Sequence, residues 1–221
     1  ENGIFFSTPQ VNSEQAVCEI TQKLVNCTDQ DSQVTVTSLL FAPDDTLISE
    51  QIAQQEIAAH DTRVTKIQSI VLHPCCWTPE TPSLYTLKTY LSYKEGEQSI
   101  HTLADTQKVG IRSLRFDANE GFFLNDAPYQ FKGVCIHEDA GCFGNAVPVA
   151  IWHRRLAKLK AMGCNALRMS HNPHMPELYA LCDALGFLVI DEAFDEWEGP
   201  KNKWSTGHNV YPPKHQGYYV N

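Results

Sequence analysis

Arg168 and His171 form an Arg-x-x-His at the end of a short apolar run, and Asp191-Glu192 close a second such run further along. His137 follows a third, Phe131–Ile136. A guanidinium can hold a carboxylate through a forked pair of hydrogen bonds, and an imidazole can both donate and accept. The carboxylates of Asp191, Glu192, Asp195, Glu196 and Glu198 suit either active-site support or a hard divalent cation. Each group also has a plain reading: a surface arginine capping a sheet end, a loop histidine held by backbone, a solvated acidic loop. The plain reading suits Asp195 and Glu198 better. Asp191 and Glu192 sit too close to the apolar run to be set aside.

The elements that must carry these groups are legible between Gly163 and Glu192. Cys164–Met169 reads as a strand, and Ser170–Met175 as a polar loop broken by Pro173. Leu178, Leu181, Cys182 and Leu185 then recur with the spacing of one helix face. Pro176 suits a first helical position and Gly186 the residue just past a helix end. Phe187–Ile190 is an unbroken apolar run, as expected of a strand covered on both faces. Strand, helix and strand with short connections predict a parallel unit, whose chemistry gathers at the carboxyl ends of the strands. Pro148 opens a preceding helix with Trp152, Leu156 and Leu159 on one face, ending at Gly163. Trp152, Leu156, Leu159, Leu178, Leu181 and Leu185 are assigned to core. An enzyme is the first hypothesis.

At 221 residues the chain holds one large domain or two ordinary ones, and 43% apolar content is enough for a packed core. The net charge of −9, with no clustered Lys and Arg, disfavours nucleic acid. No run has the apolar length of a membrane span, and the first residues lack the features of a signal peptide. The chain does not begin with Met, so a processed protein or an excised piece is expected; compartment stays open. The eight cysteines include no CxxC pair, and buried thiols are favoured over a disulfide framework. His153, His174, His208 and His215 show no HExxH-type spacing.

Residues 1–111 read as all-β. Alternating, β-branched stretches recur at Ala16–Val25, Gln33–Phe41, Ile48–Ala58, Arg63–Leu72 and Leu84–Tyr93, separated by polar turns. That pattern predicts an antiparallel sandwich of immunoglobulin type. Trp77–Tyr85 reads as a loop packing its aromatic ends back on the sandwich. From Arg112 the chain makes a hairpin, with Asn125-Asp126 as its turn, and then changes to strand–helix units. Two domains of different class follow, 1–111 and 112–221.

Three stretches, WTPETPSLY, VGIRSLRFDANEGFFLNDAPYQFKGVCIHED and the segment from Gly163 to Glu192, together resemble glycoside hydrolase family 2, the β-galactosidase, β-glucuronidase and β-mannosidase group. The resemblance implies an immunoglobulin-like sandwich followed by the start of a (β/α)8 barrel, and a retaining exo-β-glycosidase acting on a carbohydrate, a β-galactoside in the first instance. It also implies that His137 and His171 contact sugar hydroxyls, that Arg168 partners the nucleophilic carboxylate, and that Asp191 and Glu192 support the site. Glu196 aligns with a magnesium-ligand position in some galactosidases, although Glu198 stands where a histidine is expected. Cys135 stands where the family often has asparagine.

An eight-stranded barrel needs five strands beyond these three. The family's acid/base glutamate follows an asparagine at a later strand end. The one Asn-Glu pair in this sequence is Asn119-Glu120, in the hairpin before the barrel. The catalytic pair is therefore expected outside these residues, leaving Arg168 an orphaned cation and the polypeptide inactive alone. A sheet cut after three strands should also dimerise, aggregate or borrow strands from the remainder of a parent enzyme. Two rival readings stand beside this one. A non-catalytic sandwich would bind carbohydrate or protein, and a metal-dependent enzyme would respond to chelator.

Overall fold

The computed structural model describes residues 3–193. Two compact units are present, Glu1–Gln130 and Phe131–Asn221.

In the first unit seven strands form two antiparallel sheets. Strands β1 (Ile4–Val11), β2 (Gln15–Val25) and β5 (Thr62–Leu72) pair in the order β1-β2-β5. Strands β3 (Ser32–Phe41), β4 (Leu47–Ile57), β6 (Tyr85–Glu95) and β7 (Gln98–Val109) pair in the order β4-β3-β6-β7. Ala16, Cys18 and Ile20 take alternate positions on β2, and they share one buried cluster with Leu40, Val71, Tyr85, Leu87, Val109 and Ile111. This is the immunoglobulin-like sandwich that the alternation predicts.

Sequence reading found five of the seven strands and missed β1 and β7. Both are edge strands in their sheets. β1 contains Pro9, at a register break between Ser7 and Gln10, and proline in a sheet is confined to edges and bulges. β7 is mostly polar and exposed along its length, so no apolar alternation marks it.

The Trp77–Tyr85 loop packs as expected. Trp77 and Tyr85 are both buried, and the Tyr85 hydroxyl accepts the backbone N–H of Cys75 at 2.8 Å. A tyrosine at the start of the sixth strand reaching back to upstream backbone resembles the tyrosine corner of such sandwiches. The hairpin that follows consists of β8 (Leu114–Asp117), β9 (Gly121–Leu124) and β10 (Ala127–Pro128). Asn125 and Asp126 have φ of 51° and 62°, the pair of left-handed residues that a tight two-residue turn requires. Asn125 also donates to the Trp77 carbonyl at 3.1 Å and accepts from the Ser113 N–H at 2.9 Å. The sequence reading divides the chain after 111. The compact units divide after Gln130, with this hairpin tied to the Trp77 loop by Asn125.

The second unit repeats strand and helix. Strands β11 (Gly133–Ile136), β12 (Ala166–Met169) and β13 (Leu188–Asp191) are parallel, in that spatial order. Helix α1 (Val149–Ala161) connects the first two, and α2 (Pro176–Leu185) the second two. Pro176 is the first residue of α2, and Gly186 ends it at φ 77°, a left-handed cap that glycine adopts without strain. Trp152, Leu156, Leu178, Cys182 and Phe187 pack with Leu167 and Met169 into one core, and Leu159, Leu181 and Leu185 lie partly buried against it. The three strands and two helices are the opening of a TIM barrel.

All eight cysteines are free thiols. The expectation that they would be buried is corrected for most of them. Only Cys18 and Cys182 are buried, with their thiols pushed up to about 12 by loss of solvent, whereas Cys27, Cys75, Cys135 and Cys142 are exposed. A chain with two apolar cores needs no staples, so its surface thiols stay unpaired. Among the described residues no helix is long and apolar enough to cross a membrane.

Candidate functional site at the strand ends

The parallel register decides which side chains meet. Cys135, Arg168 and Ile190 are lateral neighbours, and Ile136, Met169 and Asp191 are the next rank. Side chains alternate between the two faces of a sheet. Leu167 and Met169 are buried against the helices, while Cys135, Arg168 and Ile190 are exposed on the opposite face. Arg168 therefore stands on the face that the helices leave open.

Glu192 lies two residues beyond Ile190 and returns to that face. One of its carboxylate oxygens accepts from Arg168 Nη2 and the other from the backbone N–H of His171. Arg168 Nη1 also donates to Cys135 Sγ at 3.3 Å. The expectation of an orphaned Arg168 is thus corrected: a carboxylate two positions beyond its lateral neighbour takes the guanidinium. The Glu192 carboxyl is held below its usual range, first by the His171 N–H and then by the charge of Arg168. Asp191 goes the other way. Its Oδ1 accepts from the Tyr179 hydroxyl of α2 at 2.9 Å, and that hydroxyl in turn accepts the backbone N–H of His174, also at 2.9 Å. The two acids expected to support the site together are divided between the two faces by strand alternation.

His137 and His171 come together, with ring centroids 5.0 Å apart and a tilt of 53°. The loop after β12 is braced by the end of β11 and the residues that follow it. Ser170 N–H donates to the Ile136 carbonyl at 2.9 Å, and Asn172 Nδ2 donates to Glu138 Oε2 at 3.1 Å. His174 is buried beside Trp152, and neither its Nδ1 nor Ser170 Oγ has a hydrogen-bond partner. The structure therefore gathers His137, Arg168, His171 and Glu192 at one end of the sheet. Sequence reasoning missed the Glu192–His171 bond and the Glu138–Asn172 bond. Parity along β13 could have sorted Asp191 from Glu192; nothing local announces Glu138.

Two imidazoles and a guanidinium beside exposed sheet can hold a polyhydroxylated ligand through donors and acceptors together. Asp195, Glu196, Trp197, Glu198 and Trp204, together with the 200–221 tail, lie outside the described residues. Among the described residues no three His, Cys, Asp or Glu side chains are grouped to hold a metal ion.

A β-sandwich leading into parallel strand–helix units, with histidine, arginine and carboxylate on adjacent strand ends, is the arrangement that the family resemblance implies. The chain belongs to the glycosyl hydrolases family 2: the model of that name matches residues 4–112, and the family 2 TIM barrel domain matches 117–214. It is 41% identical over 199 residues to the β-galactosidase BoGH2A of Bacteroides ovatus, covering 90% of this chain and 23% of that protein. A putative β-glucuronidase of Formosa agariphila is 32% identical over 200 residues, covering 89% of this chain and 18% of that one. Among solved structures, Bacteroides uniformis β-glucuronidase 2 superposes with a TM-score of 0.80 at 33% identity, over 92% of this chain and 24% of its own. A family 2 member from Bacteroides cellulosilyticus reaches 0.81 at 30% identity, over 91% and 26%. The chain thus spans less than a quarter of either curated relative.

Proposed function

We propose that these residues are the sandwich and first barrel strands of a retaining exo-β-glycosidase acting on β-galactosides. His137, Arg168 and His171 supply one side of its sugar subsite, and the reacting carboxylates come from outside residues 1–221. The observation that carries this reading is the meeting of the two imidazoles and the Arg168–Glu192 pair at one end of the parallel sheet. The 41% identity to a β-galactosidase favours galactose over glucuronate, the sugar in the name of the Formosa agariphila relative at 32%.

Retaining hydrolysis needs two carboxyl groups about 5–5.5 Å apart, one as nucleophile and one as acid and then base. Glu192 fills neither role. Both of its oxygens are engaged, and its lowered pKa keeps it ionised, the opposite of what a proton donor requires. Incubation of the purified polypeptide with a chromogenic β-galactoside is therefore expected to release no dye above buffer. A rate that survives purification and is lost in Glu192→Gln or Glu196→Gln would overturn this reading.

A further inference from the structure

We propose that Glu192 is a positioning residue, fixing the Arg168 guanidinium and the His171 main chain relative to one another before any ligand arrives. The inference deepens the sugar-subsite reading and rests on it.

His171 has φ 79°, a left-handed conformation that costs a non-glycine residue roughly 1–2 kcal/mol. Something must hold it there. Its immediate neighbours are secured elsewhere, Ser170 by the Ile136 carbonyl and Asn172 by Glu138. The backbone N–H of His171 itself goes to Glu192, as does Arg168 Nη2. One carboxylate thereby ties the main chain of His171 to the side chain of Arg168. Two donors converge on a single acid, and that acid follows β13, the strand paired with the β12 that carries Arg168, so neither donor can drift without losing a charge-assisted bond.

The charged and titratable groups around Glu192 are Arg168 and Cys135 on the open face and His171, His137 and Glu138 at the loop ends, with Asp191 turned away to Tyr179. Because the Glu192 pKa is lowered, the clamp is fully present above the ordinary carboxyl value of 4.5 and is lost as pH falls through the lower folded value.

The test uses the full chain labelled with 15N, comparing wild type with Glu192→Gln and Glu192→Ala. Glutamine keeps an acceptor for the His171 N–H but loses the charge on Arg168; alanine loses both. The expected result is His171 amide exchange about tenfold faster in the alanine variant and nearly unchanged in the glutamine variant. The Arg168 side-chain nitrogens should gain free rotation in both. The His171 amide shift of the wild type should move as pH drops below 4.5, and that step should vanish in Glu192→Gln. Unchanged His171 exchange and Arg168 rotation in the alanine variant would overturn the proposal. So would identical behaviour of the two variants at His171. In parallel, methyl β-galactoside is added to the wild type: absence of binding there sinks the subsite reading, while the amide data still read the clamp.

Discussion

Gly133→Ala should disrupt the parallel sheet of the second unit and leave the sandwich intact. A Cβ at position 133 would lie 2.4 Å from the carbonyl oxygen of Ala166 and 2.8 Å from its carbonyl carbon. These are backbone atoms of the paired strand, so no rotamer change relieves the overlap. Nor can the strand slide. Lys132 and Asn165 lock the entry to β11 and β12 by two bonds, Lys132 N–H to Asn165 Oδ1 at 2.7 Å and Asn165 N–H to the Lys132 carbonyl at 2.8 Å. Overpacking that side chains can absorb costs about 1–3 kcal/mol; where the strands must separate, about 3 kcal/mol or more is expected. Hydrogen exchange should speed up throughout β11 and β12 while the amides of β2 and β6 keep their wild-type rates. Wild-type exchange in β11 would show that the strands are not packed this closely.

Trp152→Ala is the other large loss. The ring is 1% exposed, in the core shared by α1, α2 and the sheet, and the Arg155 guanidinium lies 4.9 Å from its centre. Removing a buried tryptophan costs about 3–5 kcal/mol through lost transfer energy and the cavity left behind. Domains of ordinary size have about 5–15 kcal/mol in all, so this change brings the second unit close to unfolding. The same helix provides its own control. Met162, just past the end of α1, is 77% exposed, and Met162→Ala should shift stability by less than about 0.5 kcal/mol. Chemical denaturation followed at the Trp152-containing unit should separate the two variants by several kcal/mol; similar midpoints would contradict the assignment of this core.

Much of the architecture was legible because its signals are local. Pro176 and Gly186 bracket α2, Asn125-Asp126 make the hairpin turn, and alternation marks the central strands of the sandwich. Two of the four edge strands, β1 and β7, escaped because an edge tolerates the proline of β1 and the polar run of β7, whereas β4 and β5 keep their alternation. The site divides in the same way. His137, Arg168 and His171 are marked by type and by position at strand ends, and they do come together. The role of Glu192 is set by register: it depends on Arg168 lying beside Ile190, a pairing between strands that no local motif encodes. The need for glycine at 133 is equally remote, since the atom that excludes a side chain belongs to Ala166.

In the proposed function, the polar ends of three adjacent strands form one wall of a sugar subsite. The most direct measurement is a titration of the 15N-labelled chain with methyl β-galactoside, following every backbone amide. Saturable shifts are expected at His137, Arg168, His171 and their neighbours, with residues 4–111 unmoved. Shifts confined to the sandwich, or none at the strand ends at any concentration, would contradict it.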